Sequence, residues 1–139
     1  MFEKDYLMRL IQTLLDSINK IVNSIDKEDI EGAKIQLSDS YKLLGNEEEY
    51  FSETNYIELI EFFKLEEGNY LKRVEFLAEL IYLDATIEED KILKYEKFEK
   101  SKKLFEYYSE FSKEYSFEIN NKLVFIKNEL EGFIKYNEL

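Results

Sequence analysis

Cysteine, proline, histidine and tryptophan are absent from the 139 residues, and glycine occurs only four times. Without cysteine there is no disulfide framework, no thiolate nucleophile and no thiolate metal site. Without histidine the usual near-neutral acid–base group is missing, together with imidazole ligands for zinc, haem or a di-iron centre. Any metal would have to be a hard ion held by oxygen. Basic residues are outnumbered 19 to 31, so the formal net charge of −12 repels a phosphate backbone. The longest nearly uncharged apolar run, Leu77 to Ile87, is broken by Glu79 and Asp84 and is far short of a membrane span. The opening Met1-Phe2-Glu3-Lys4-Asp5 carries acids where a secretory leader carries bases. These features predict a cytoplasmic protein with no cofactor, no metal, no direct contact with nucleic acid and no membrane association.

What is present is apolar and periodic. Hydrophobic residues make up 45% and aromatics 16%, too much for a disordered chain, and the length suits one domain over residues 1–139. Leu7, Ile11, Leu14, Ile18, Ile21 and Ile25 recur every three or four positions, one stripe of a helix over about Lys4 to Ser24. Asp26 reads as the cap of a second helix carrying Ile30, Ala33, Leu37, Tyr41 and Leu44, which Gly45-Asn46 stops. After the polar stretch Glu47 to Glu53, a third helix spans about Thr54 to Glu66, ended by Gly68-Asn69. The fourth, Tyr70 to about Thr86, is apolar nearly all round and is expected at the centre. A fifth, about Glu89 to Ser112, and a sixth, about Ser116 to Tyr136, complete six antiparallel helices in a compact all-α bundle.

The charge is uneven. Up to Asn69 the chain has 7 basic and 16 acidic residues, and beyond it 12 and 15. The densest acidic stretch runs from Glu47 to Glu67 with Lys64 as its only cation, whereas Lys91, Lys94, Lys97, Lys100, Lys102 and Lys103 give the fifth helix the opposite bias. The bland reading of both is a solvated helix face.

The opening Met1-Phe2-Glu3-Lys4-Asp5-Tyr6-Leu7-Met8-Arg9-Leu10-Ile11 resembles the M-F-x-x-D-Y-x-M-R-x-I signature of an uncharacterised bacterial family, a domain of unknown function. Leu43-Leu44-Gly45, Ile57-Glu58-Leu59-Ile60, Leu77-Ala78-Glu79-Leu80, Tyr95-Glu96-Lys97-Phe98 and Lys103-Leu104-Phe105 follow in the family's order, covering most of the chain. The resemblance implies tetratricopeptide-like helix pairs and no activity. Ala78, Ala85, Phe98 and Ser101 can be placed in that repeat frame. Tyr82 and Lys94 stand where the repeat takes small residues, and no proline closes the unit, leaving one degenerate hairpin over residues 70–112.

Several residues invite a role. Asp5 and Arg9, one turn apart, suit an intrahelical pair with Tyr6 packed beneath, or else Tyr6 and Arg9 anchor a partner. The first-helix stripe suits packing within the chain, or a homodimer through that helix. Glu79 and Asp84, carboxylates on an apolar helix, call for Arg73, a lysine or a tyrosine hydroxyl as partner. Glu75 and Glu79 could share a divalent cation, a weak signal without Glu-x-x-His. Glu88, Glu89 and Asp90 look like acids at a helix start, with no Ca²⁺-loop spacing and no phosphate-binding glycine loop. Tyr107, Tyr108 and Tyr115 could line a peptide groove, and Lys94, Tyr95, Lys97 and Phe98 look superficially like a nucleic-acid surface, which the net charge opposes.

Together these predict a non-catalytic protein-interaction module. It would bind a protein or peptide, a basic one if Glu47, Glu48, Glu49 and Glu53 take part. The alternative is an acidic inhibitor whose carboxylates imitate a nucleic acid and block a nucleic-acid-binding protein.

Overall fold

The spacing of apolar residues produces helices wherever it is sustained. A computed structural model describes residues 2–66 and 68–138. Met1 and the side chains of Phe2 and Glu3 in the opening motif, and Glu67 in the acidic stretch, lie outside the described residues. Among those described there are seven helices and no strand: α1 (Phe2–Asp26), α2 (Ile30–Leu43), α3 (Glu48–Glu53), α4 (Tyr56–Leu65), α5 (Tyr70–Ile87), α6 (Lys91–Ser112) and α7 (Phe117–Glu138). The all-α expectation holds, but six helices become seven because the polar stretch after Asn46 folds as α3.

Capping moves one boundary. Asp26 ends α1 instead of opening α2; Glu28 takes a left-handed backbone (φ 60°) at the turn. Asp29 then caps α2, its Oδ1 accepting from the Gly32 N–H at 3.0 Å. The Asp29 carboxylate comes so close that a Cβ on Gly32 would lie 2.2 Å from its Oδ2, so a larger residue there requires the capping carboxylate to shift. Asn55, Asn69 and Asp90 cap α4, α5 and α6 in the same manner. Gly45 closes the α2 end with φ +106°, as its place after Leu44 suggested.

Helix α5 is the centre of the bundle. It packs against α1, α2, α4 and α6, and α7 packs mainly on α6 while reaching α5 through Lys122 on Glu79 and Phe125 on Tyr82. Antiparallel pairing of α5 with α6 is fixed by contacts whose numbers run in opposite directions. Tyr70 meets Tyr107, the Ser101 hydroxyl donates to the Ala78 carbonyl at 2.9 Å, and Lys97 meets Asp84. Tyr95 against Phe133 and Phe98 against Phe125 show α7 running antiparallel to α6. On α1, Leu14 and Ile21 are fully buried and Ile11, Ile18 and Ile25 pack against the same core, so this stripe faces its own chain.

Candidate functional site

α3 shapes a cleft between α2, α5 and α6. Its fully buried anchor is Phe51, stacked on Tyr41 of α2 at 5.6 Å between ring centroids, with Tyr50 half-buried beside it against Phe62. Burying the Phe51 ring contributes about 2–3 kcal/mol, enough to hold a six-residue helix that has no stability alone. With Phe51 inward, Glu48, Glu49 and Glu53 are left on a cleft of about 610 Å³. Its other walls include Tyr41 from α2, Ile81 and Asp84 from α5, and Leu93, Glu96, Lys97 and Lys100 from α6.

The two lysines of the cleft are already engaged. Lys100 donates from Nζ to the Phe51 and Ser52 carbonyls at 2.8 and 2.9 Å, satisfying the open end of α3. Burial lowers its pKa, and the charge of Glu96 offsets this only in part. Lys97 donates to Asp84 Oδ1 at 2.9 Å and to Glu88 Oε1 at 2.6 Å. Burial alone would lower the Lys97 pKa, but hydrogen bonding to Glu88 and the charge of Asp84 outweigh it and raise it. The Tyr41 hydroxyl donates to Asp84 Oδ2 at 3.0 Å, and burial, then the Asp84 charge, push that phenol well above its ordinary range. Glu48 is pushed up by burial and by Asp84, with Lys97 pulling the other way.

Among the described residues, none of the ion pairs reaches Glu48, Glu49, Glu53 or Glu96. Among the described residues, the cleft therefore presents carboxylates that join no ion pair, with Lys97 and Lys100 acting on Glu48 and Glu96 only through their charge. What this arrangement does best is receive cations. Lys97, held protonated, and Tyr41, held neutral, are poor nucleophiles and poor bases.

The residues singled out by the sequence scatter. Glu48, Glu49 and Glu53 come together in the cleft, while Glu47 precedes α3 as its N-cap residue and makes no side-chain cap hydrogen bond. Tyr6 and Arg9 are exposed on α1, and Tyr6 shows 64% of its surface instead of packing under an Asp5–Arg9 pair. No ion pair joins Asp5 to Arg9 among the described residues. Tyr108 belongs to the core with 6% exposure, because it falls on the same face of α6 as Leu104 and Phe105. Burial, then hydrogen bonding to Glu75, raises its hydroxyl. Tyr107 is half-buried with its hydroxyl 3.1 Å from that of Tyr70, and Tyr115 is exposed beyond the end of α6.

Glu79 finds a lysine, as a buried carboxylate must. Lys122 of α7 donates to both its oxygens at 2.7 and 2.6 Å. Glu75 pairs with Lys72, so the two carboxylates are not free to share a cation. Among the described residues no group of three acidic, histidine or cysteine side chains is arranged to hold a metal ion, and no helix is long and apolar enough to cross a membrane.

Sequence reasoning did not bring Tyr41, Lys97 and Lys100 to one place. The available signals were Asp84 on an apolar helix and two lysines three residues apart on the next one. Compared with known proteins, the chain matches no family model, no curated protein and no solved structure.

Proposed function

We infer that the chain is a cytoplasmic, non-catalytic interaction module that captures a basic segment of a protein or peptide partner in the cleft between α3 and α6. The observation that carries this reading is the set of carboxylates Glu48, Glu49, Glu53 and Glu96, none in an ion pair among the described residues, around a cleft of about 610 Å³. Leu93, 45% exposed, supplies an apolar contact for the stem of a lysine or arginine. Charge of this kind speeds encounter and selects partners more than it adds affinity. Support for the tetratricopeptide-like likeness of residues 70–112 comes from Ala78, Ala85, Phe98 and Ser101, all buried along α5 and α6.

The test is a nuclear magnetic resonance titration with short lysine- and arginine-rich peptides at low salt. Chemical-shift changes are expected to cluster on α3 and the first half of α6. Glu49→Gln, Glu53→Gln and Glu96→Gln together should weaken binding about tenfold or more with unchanged circular dichroism. Equal binding by the triple variant, or shifts spread evenly over every acidic face, would overturn the reading. If instead a nucleic-acid-binding protein is captured and loses its nucleic acid, with Leu93→Ser harmless, the decoy reading replaces it.

A further inference from the structure

Helix α1 carries a second apolar stripe, one residue further on and so rotated by about 100° from the one that faces the core. Leu14 and Ile21 expose 1% and 0% of their surface, whereas Met8, Leu15 and Val22 expose 60%, 45% and 37%. Between the two lines lie Ile11, Ile18 and Ile25, partly buried and available to both. The outer set therefore reads Met8, Ile11, Leu15, Ile18, Val22, Ile25, alternating steps of three and four, which is the heptad pattern of a helix that packs against another helix. Among the described residues, no other helix covers Met8, Leu15 or Val22 enough to bury them.

The ends of this stripe are charged and opposite. Lys4 lies four residues before Met8 and Asp26 four residues after Val22. Both are exposed, and neither joins an ion pair among the described residues. On a regular helix each points within about 20° of the direction of Leu15. The order along one line is thus cation, Met8, Leu15, Val22, anion, symmetric in spacing about Leu15 and opposite in charge at its ends.

We propose that α1 pairs with α1 of a second copy of this chain, antiparallel, across a two-fold axis at Leu15. In that arrangement Met8 meets the partner's Val22 and Lys4 meets the partner's Asp26, each contact made twice, as an isologous interface requires. A parallel pairing would set Lys4 against Lys4 and Asp26 against Asp26. Overall charge favours this surface as well. α1 has three basic and four acidic side chains in a chain of net −12, so two copies meet there with little repulsion. Gln12 and Asn19, both exposed and uncharged, border the stripe. The helix is about 37 Å long, and a single helix face of that length buries roughly half of the ~800 Å² per partner of a standard interface. The dimer is therefore expected to be weak, with a dissociation constant in the micromolar range.

The experiment uses the full chain. Sedimentation over a wide concentration range should show a reversible monomer–dimer equilibrium. Leu15→Glu, at a position 45% exposed, should keep the helical circular-dichroism spectrum and weaken association at least tenfold. Because the chain has no cysteine, an introduced one is the only thiol present. A mixture of Met8→Cys and Val22→Cys chains should form disulfide-linked mixed dimers on mild oxidation, and neither variant alone should cross-link comparably. A wild-type chain that stays monomeric at high concentration overturns the proposal. So does a Leu15→Glu chain that dimerises normally, or cross-linking of Met8→Cys alone as efficient as that of the mixture.

Discussion

Asp84 is a carboxylate on a helix that otherwise buries Phe76, Leu80 and Ala85, and it is tolerated because two donors reach it from other helices. Tyr41 and Lys97 each take one oxygen, and Lys97 extends the network to Glu88. Removing the lysine leaves two half-buried anions facing each other, with Glu48 nearby. Lys97→Met is therefore expected to cost about 1–3 kcal/mol, below the figure for a fully buried pair because Asp84 and Glu88 keep some access to water. The same change should raise the Glu48 pKa further, since the Lys97 charge opposes the rise that burial and Asp84 cause. Urea unfolding and carboxyl carbon-13 titration read the two effects separately. A loss within about 0.5 kcal/mol, the range of ordinary surface changes, would count against the network. The need for a partner at Asp84 was legible in the sequence, because a charge among apolar residues demands one. Which partner was not, since Tyr41 lies 43 residues away and periodicity had assigned it to the core.

α3 is the element that makes the cleft, and it is the one that periodicity could not reveal. Six residues hold fewer than two helical turns, too few to repeat an apolar spacing, and three consecutive glutamates precede its Tyr50 and Phe51. The longer helices could be read because each sustains its stripe for several turns, and α5 was identifiable as central from apolar residues all round. Placement of α3 depends on contacts made only in the folded chain: Phe51 among Tyr41, Phe62 and Phe63, and Lys100 on its last carbonyls. Lys100→Met keeps the apolar stem and removes the donors. The expected outcome is faster amide hydrogen exchange across α3 with protection of α5 unchanged, and a global loss of about 1 kcal/mol. Unaltered exchange in α3 would mean that Phe51 alone secures it.

For the molecule as a whole, charge sets the response to pH. Glu79 is raised above its ordinary 4.5 by burial, with Glu75 and Glu118 adding to this and Lys122 opposing it. Glu48 is raised as well, by burial and Asp84, with Glu49 adding and Lys97 and Ser38 opposing. A carboxyl raised on folding binds its proton earlier in the folded chain, so stability rises as pH falls through that folded value. Protonation also relieves the repulsion within a chain of net −12. Glu88 acts in the other direction. Burial works to raise it, but hydrogen bonds from Lys97 and the Asp90 backbone lower it, so its contribution is present above 4.5 and is lost as pH falls through the lowered value. Lys97, raised on folding, contributes below 10.5 and loses that contribution as pH climbs through its folded value. The melting temperature is therefore expected to be higher near about pH 5.5 than near about pH 7.5, and to fall again in stronger acid and in strong alkali. Added salt at the higher pH should reproduce the part of the gain that comes from overall repulsion, because it screens exposed charges more than buried ones. The remainder should shrink in Glu48→Gln, which already has the uncharged form. A melting temperature that declines steadily from about pH 7.5 to about pH 5.5 would show that the ion pairs of Glu79 and Glu88 outweigh both the burial of their carboxyls and the net charge.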